Sequence, residues 1–223
     1  GRDDMKSIAL IHTVRTVAVS FDEQLKAYVG EEVKVHNLWD DFLANHPNEV
    51  GEFTIENRNR LFLDIKAAEM TGADMIVVTC STLTPVVGMI RPFVKVPLIA
   101  IDDAMGREAV ACGERILILA TAGSTREPLT EKLLAEAEKL GKEVQIDFRD
   151  NPEAFKALKE VQMDRHDALL LQMAEEISGY DCVVLAQASM AHLDKKIEEI
   201  CKIPVLSSPT LCLEQVKETL KSI

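Results

Sequence analysis

The sequence predicts an α/β protein built from two pseudo-symmetric halves, each with a mainly parallel four-stranded sheet flanked by helices. The first observation is an internal repeat, in which residues 73–82 (ADMIVVTCST) align without a gap with residues 180–189 (YDCVVLAQAS). The segments 95–99 (KVPLI) and 202–206 (KIPVL) align with the same offset of 107 residues. A fixed offset held over a strand, a helix and a second strand indicates a duplicated half-domain.

The predicted strands are the second observation, because their apolar residues do not alternate with polar ones. Runs such as 75–78 and 116–119 are typical of parallel strands that are covered on both faces. In chain order, the strands are predicted near 6–12, 33–38, 74–79, 97–101, 115–120, 143–148, 181–186 and 203–206.

Amphipathic helices between the strands are the third observation. They are predicted at 20–29, 52–71, 83–93, 104–112, 126–140, 152–178, 190–201 and 210–222. Several are followed by glycine, which favours the left-handed cap of a helix end. This alternation predicts right-handed βα crossovers in each half. We expect the first half to be 1–103 plus 208–223 and the second to be 104–207.

Composition and charge exclude several classes of protein. The net charge of −12 over 223 residues disfavours nucleic acid and anionic membrane surfaces as partners. No apolar run approaches the roughly 18 to 20 residues that a membrane span needs. The five cysteines, at 80, 112, 182, 201 and 212, are odd in number and contain no CxxC pair, so we expect a reducing cytoplasm and no disulfide framework.

Sequence signatures of cofactors and metals are also missing. No GxGxxG follows a strand, and no GxxxxGK[ST] is found, so nucleotide binding lacks its fingerprint. No His, Cys or carboxylate spacing indicates a metal. We therefore expect no cofactor and no metal, with a homo-oligomer left open.

Ligands of open α/β sheets bind beyond the carboxyl ends of the strands. Here these ends are rich in small residues and hydroxyls, at 12–14, 79–82, 121–125 and 186–189. Because two matched halves usually form a cleft on their pseudo-two-fold axis, we expect the site there, with Cys80 facing Gln187.

Cys80 is the predicted catalytic residue. It lies between an apolar strand and a helix, where backbone N–H dipoles favour the thiolate. Its counterpart Gln187 is a carboxamide, which does not ionise near neutral pH. The predicted substrate-binding residues are His12, Thr13, Ser81, Thr82, Thr121, Ser124, Thr125, Gln187 and Ser189.

Other roles are open for several of these residues. The hydroxyls of 121–125 could bind a carboxylate or cap the following helix. His12 could act as an acid or base, or simply end its strand. Gln187 could contact substrate or hold a buried turn.

The segments 72–82, 96–105, 116–122 and 184–190 together resemble the aspartate/glutamate/hydantoin racemase superfamily, over most of the chain from about Leu61 to Leu193. The resemblance implies two Rossmann-like halves with the active site between them and no cofactor. It also implies a small carboxylic-acid substrate.

Cofactor-independent members of this superfamily use one cysteine from each half, on opposite faces of an α-carbon. Cys80 matches the first cysteine, whereas the second falls at Gln187, within Leu185-Ala186-Gln187-Ala188, where the family pattern has Gly-Cys-Thr. Relatives with one cysteine include decarboxylases.

Two hypotheses follow from this pattern. The first is an enzyme that acts through Cys80 at the carbon next to a carboxylate of a small amino, hydroxy or dicarboxylic acid, as a racemase, isomerase or decarboxylase. The alternative is a non-catalytic or regulatory protein that binds a small acid after losing the second thiol.

Overall fold

A computed structural model describes residues 5–30 and 32–223, and these residues divide into two compact units. The first unit runs to Ile101 and also includes Cys212–Ile223, while the second is Asp102–Leu211. Each unit contains one four-stranded sheet in which every pairing is parallel. The predicted α/β class with two four-stranded parallel sheets is therefore confirmed, and the boundaries predicted at 103 and 208 stay a prediction.

The sheet of the first unit has the strand order β2-β1-β3-β4. Its strands are β1 (Ser7–His12), β2 (Lys34–Trp39), β3 (Met75–Val78) and β4 (Leu98–Ala100). Its helices are α1 (Arg15–Val29), α2 (Phe42–Val50), α3 (Ile55–Glu69) and α4 (Thr84–Ile90). Helix α1 begins earlier than predicted, and α2, which contains Pro47, was not predicted.

Both faces of this sheet are buried, as the non-alternating strands predict. Ala9 and Ile11 pack into one apolar cluster, while Ile8 and Leu10 pack into another on the opposite face. All four side chains of β3 are buried. Because the apolar residues fix both faces of each strand, they also fix where each strand ends and which residues follow at the carboxyl edge.

The second unit repeats this design with the strand order β6-β5-β7-β8. Its strands are β5 (Arg115–Ala120), β6 (Gln145–Asp150), β7 (Cys182–Leu185) and β8 (Val205–Ser207). Its helices are α5 (Asp103–Cys112), α6 (Arg126–Lys139), α7 (Pro152–Lys159), α8 (Met163–Glu175) and α9 (Asp194–Cys201), and α10 (Ser208–Ser222) then continues into the first unit. Within the described ranges, no helix combines the length and the apolar character that a membrane span requires.

The predicted long helix 152–178 is two helices in the structure. Val161, between α7 and α8, has a φ of 58°, in the left-handed region. Two backbone bonds close the end of α7, from Val161 N to Leu158 O at 3.1 Å and from Gln162 N to Ala157 O at 2.8 Å. This is the bonding pattern of a Schellman cap, which usually places glycine where this chain has valine. Sequence patterns do not reveal the break, because valine is a poor signal for a helix end.

Candidate active site

The carboxyl edges of the two sheets have the same backbone hydrogen bonds. Thr79 N donates to Ile11 O, and Ala186 N donates to Leu119 O, at 3.0 Å in both units. These bonds continue the pairings β1–β3 and β5–β7 one residue past the strand ends. The edges of the two units can therefore be compared residue by residue, each within its own unit.

This comparison makes Cys80 equivalent to Gln187, and Thr13 equivalent to Thr121. Cys80 and Gln187 each lie two residues after the end of their strand and directly before a 3₁₀ turn. Thr13 follows β1 directly, as Thr121 follows β5. Each unit thus has a threonine after one strand end. After the neighbouring strand end it has a residue that differs between the units, Cys80 in the first and Gln187 in the second.

Gln187 is hydrogen-bonded to the threonine of its own unit. Its Oε1 accepts one bond from Thr121 N at 2.7 Å and a second from Thr121 Oγ1 at 2.9 Å. Because a backbone N–H can only donate, these bonds fix which end of the carboxamide faces Thr121. Gln187 is therefore held in one orientation.

Cys80 and Thr13 are the equivalent residues of the first unit, but Cys80 does not provide an oxygen acceptor for Thr13. Cys80 is half-buried and has extended backbone angles, φ −114° and ψ 118°. Thr13 is only 3% exposed, and within the described residues its Oγ1 has no hydrogen-bond partner. A buried hydroxyl without a partner costs about 1–3 kcal/mol, so Thr13 is a strong candidate to meet a ligand atom.

His12, a predicted site residue, lies fully buried in a polar chain beneath this edge. His12 Nδ1 lies 2.7 Å from Thr79 Oγ1, and its Nε2 lies 2.9 Å from Asn37 Oδ1. Asn37 Nδ2 in turn donates to Asp22 Oδ1 at 3.1 Å. Because the Asp22 carboxylate only accepts, Asn37 Oδ1 must accept from His12 Nε2–H.

The protonation of His12 follows from this chain. Burial lowers the pKa of His12, although the bond to Asn37 and the charge of Asp22 oppose that shift. Burial therefore favours the neutral ring, with its proton on Nε2. Nδ1 then accepts from the Thr79 hydroxyl at 2.7 Å, since the other acceptor of that hydroxyl, Ile11 O, lies farther away at 3.3 Å. Both ring nitrogens are used within the unit, so His12 orients Thr79, the neighbour of Cys80.

The other predicted residues of the first unit, Ser81 and Thr82, begin the 3₁₀ turn after Cys80. Ser81 is half-buried and Thr82 is exposed. In the second unit, Thr125 Oγ1 donates to Ala122 O at 2.9 Å, so it stabilises its own turn. Ser124 is exposed and Ser189 is half-buried.

Trp39 is a site neighbour that sequence reasoning missed. It ends β2 in register with His12, and its Nε1 donates to Thr13 O at 3.4 Å. Its side chain is 55% exposed, which is high for the only tryptophan of the chain. The available signal was its position at the end of a strand next to His12.

Two aspartates, Asp40 and Asp64, influence each other beside this edge. Asp40 follows Trp39, and its backbone N–H donates to His12 O at 2.9 Å. Its carboxylate is paired with Arg60 at 2.6 Å. Burial, together with the hydrogen bond and charge of Asp40, raises the pKa of Asp64 to about 7. Asp64 is therefore largely protonated below neutral pH.

Two histidines of the second unit contact one aspartate. Asp167 Oδ1 lies 2.8 Å from Nδ1 of His166, which is fully buried, and 2.9 Å from Nε2 of His192. Although burial opposes the shift, the bonds from both imidazoles lower the pKa of Asp167. Across the described ranges, no group of three or more His, Cys, Asp or Glu side chains is placed to hold a metal ion.

The sequence profile that describes the Asp/Glu/Hydantoin racemase family matches residues 13–216. The chain belongs to this family. The family suggested by the sequence motifs is therefore confirmed, and the protein is an enzyme of the racemase type. No curated protein matches the sequence significantly.

Several solved racemase structures have the same fold. An allantoin racemase from Klebsiella pneumoniae is 16% identical, with a TM-score of 0.66, and the match covers 97% of this chain and 88% of that one. A glutamate racemase from Bacillus anthracis is 14% identical, with a TM-score of 0.69, covering 97% and 82%. An aspartate racemase homologue from Pyrococcus horikoshii is 19% identical, with a TM-score of 0.65, covering 98% and 100%.

The other four cysteines are less suited to react than Cys80. Burial raises the pKa of Cys182 to about 12, and Cys212 is fully buried. Cys112 is exposed, but burial of its thiol and the charge of Glu108 raise its pKa. Cys201 is half-buried, at the end of a helix away from the carboxyl edge of the sheet.

We predict that Cys80 is alkylated first in the native protein at neutral pH. Timed iodoacetamide labelling with peptide mapping measures the order, and a Cys80→Ser variant identifies the signal. Faster labelling of any of the other four thiols would remove the support for Cys80 as the reactive cysteine.

A second prediction concerns Asp64, whose pKa in the folded protein lies above the unfolded value. The folded protein then holds a proton that the unfolded chain releases, so this group makes stability fall as pH rises from about 4 to about 7. Asp64→Asn keeps a polar side chain of the same shape that does not titrate. We expect the variant to gain about 1 kcal/mol over the wild type at pH 8 relative to pH 5, a value reduced for solvent screening.

Urea unfolding at the two pH values tests this prediction. Asp41→Asn, at an exposed carboxylate nearby, is the control and should leave the pH profile unchanged. If Asp64→Asn has the same pH profile as the wild type, the pKa of Asp64 is not raised in the folded protein.

Proposed function

We propose that this racemase-family enzyme transfers a proton through Cys80 at the carbon next to a carboxylate, in a small amino, hydroxy or dicarboxylic acid. The observation that carries the proposal is the equivalence of Cys80 and Gln187 at matched strand ends. One edge presents a thiol, which can give and take a proton. The other presents an amide, which can do neither near neutral pH.

The substrate carboxylate is assigned to Thr13. Its hydroxyl is buried without a partner in the described part of the chain, and it lies at the strand end next to that of Cys80. A carboxylate oxygen would accept from this hydroxyl, and Ser81 and Thr82 lie directly after Cys80 in the same unit. Donors of this kind stabilise the charge that develops when a proton leaves the α-carbon.

The Cys80 thiol alone can remove the α-proton and return it. The Cys80 thiolate takes the α-proton, the C–H electron pair enters the enediolate, and the thiol then returns a proton to the same face. In water, the thiol proton exchanges with solvent between the two steps. The result is exchange of the α-hydrogen without inversion.

The same thiol would serve a decarboxylase. There the bond from the α-carbon to a second carboxyl group breaks, CO₂ leaves with no electrons of that bond, and the enediolate takes the proton of the Cys80 thiol. In both reactions the proton arrives from one face, so the product has a single configuration. Inversion would need a group at the second face, and neither Gln187 nor the fully bonded His12 is suited to supply it.

We predict that the wild type exchanges the α-hydrogen of one enantiomer of its substrate for deuterium without racemising it. NMR in deuterated buffer across a panel of amino, hydroxy and dicarboxylic acids measures exchange, and chiral chromatography measures inversion. Cys80→Ala should reduce the exchange rate at least about 100-fold, the range for a lost acid–base group. Cys201→Ala is the matched control and should keep the rate.

Binding is followed separately through the fluorescence of Trp39, which contacts Thr13 O. Exchange that survives in Cys80→Ala would contradict the assigned role of Cys80. Binding without exchange in the wild type would favour the alternative, a protein that binds a small acid and catalyses no proton transfer. Rapid racemisation by the wild type would show that a second base exists.

A further inference from the structure

The two equivalent threonines differ in the hydrogen-bond partners of their side chains. In the second unit, Thr121 N and Thr121 Oγ1 donate to one oxygen, Gln187 Oε1, at 2.7 and 2.9 Å. In the first unit, Thr13 Oγ1 is buried and has no partner among the described residues. The backbone around the two positions is paired in the same way, so the difference lies in the side chains of Cys80 and Gln187.

Side-chain length explains this difference. The amide oxygen of Gln187 lies three bonds beyond Cβ, so it reaches back to the end of the neighbouring strand. The sulfur of Cys80 lies one bond beyond Cβ and is a poor hydrogen-bond acceptor. Only the second unit therefore supplies an acceptor for its own threonine.

The acceptor at Thr121 has the chemistry of a ligand. Two donors converging on one sp² oxygen form a site that a carboxylate oxygen would also fit, and an amide oxygen is its neutral counterpart. An acceptor attached to the same chain competes with free ligand at an effective concentration of about millimolar or more. A free carboxylate would have to break both bonds and turn Gln187 away before it could bind at Thr121.

We propose that Gln187 is a built-in ligand that fills an oxygen-binding site at Thr121 and thereby keeps free carboxylates out of that site. This proposal does not rest on the function proposed above, because it concerns contacts within the second unit. The ligand class that the filled site would otherwise take is a small carboxylate.

The test uses the full chain labelled with ¹⁵N, with the backbone amides of Thr13 and Thr121 as separate probes. Propionate and succinate are added as the monocarboxylate and dicarboxylate. In the wild type, we expect both acids to shift the Thr13 amide in a saturable way and to leave the Thr121 amide unchanged. In Gln187→Ala, the Thr121 amide should also titrate, with an apparent affinity at least about tenfold above the wild-type limit, as expected for restored bonds to a charged acceptor.

Two further variants control this experiment. Gln187→Glu keeps an oxygen acceptor on a side chain of the same length, so its Thr121 amide should stay unresponsive. Gln187→Met has a similar volume without the amide oxygen, so its Thr121 amide should titrate as it does in Gln187→Ala. This variant keeps the test valid if the small side chain of Gln187→Ala disturbs folding.

The proposal is overturned if the Thr121 amide titrates in the wild type as it does in Gln187→Ala. It is also overturned if that amide fails to titrate in both Gln187→Ala and Gln187→Met. A third outcome is that, in Gln187→Ala, the acids shift the Thr121 amide but not the Thr13 amide. That outcome would contradict the carboxylate site proposed at Thr13. It would still support the proposal that Gln187 fills the oxygen-binding site at Thr121.

Discussion

The pair of hydrogen bonds from Thr121 to Gln187 Oε1 distinguishes the two units of this enzyme. The strands, their order and the backbone bonds at their carboxyl ends are repeated, so the fold supplies the same edge twice. In the second unit, the carboxamide oxygen of Gln187 accepts hydrogen bonds from both donors of Thr121. In the first, Cys80 takes the place of the carboxamide, and the buried hydroxyl of Thr13 has no partner among the described residues. The proposed proton transfer through one thiol and the proposed filling of the Thr121 site both follow from this asymmetry.

Buried polar groups beneath the first edge are joined by hydrogen bonds. Neutral His12 joins Thr79 to Asn37 and fixes the strand end from which Cys80 follows. Asp40 is joined to the same strand end, because Asp40 N donates to His12 O, and burial together with Asp40 raises the pKa of Asp64. Such groups are costly to bury unless each finds a partner, so the network constrains the geometry of the edge.

Much of the fold could be predicted from sequence, because the signals that set it are local and repeated. Runs such as Met75–Val78 mark buried parallel strands, and the internal repeat by itself aligns Cys80 with Gln187. The contact from Gln187 to Thr121 was not predictable, since it depends on a side-chain conformation between residues 66 positions apart. The exposure of Trp39 and the pairing of His192 with Asp167 depend on long-range packing in the same way.

A crystal structure of the wild type with a bound small monocarboxylate, such as lactate, tests the central claim most directly. The account predicts a carboxylate oxygen within about 3 Å of Thr13 Oγ1, the α-carbon facing Cys80 Sγ, and Gln187 Oε1 still bound to Thr121. A carboxylate held by Thr121, with Gln187 turned away and Thr13 Oγ1 unsatisfied, would contradict it.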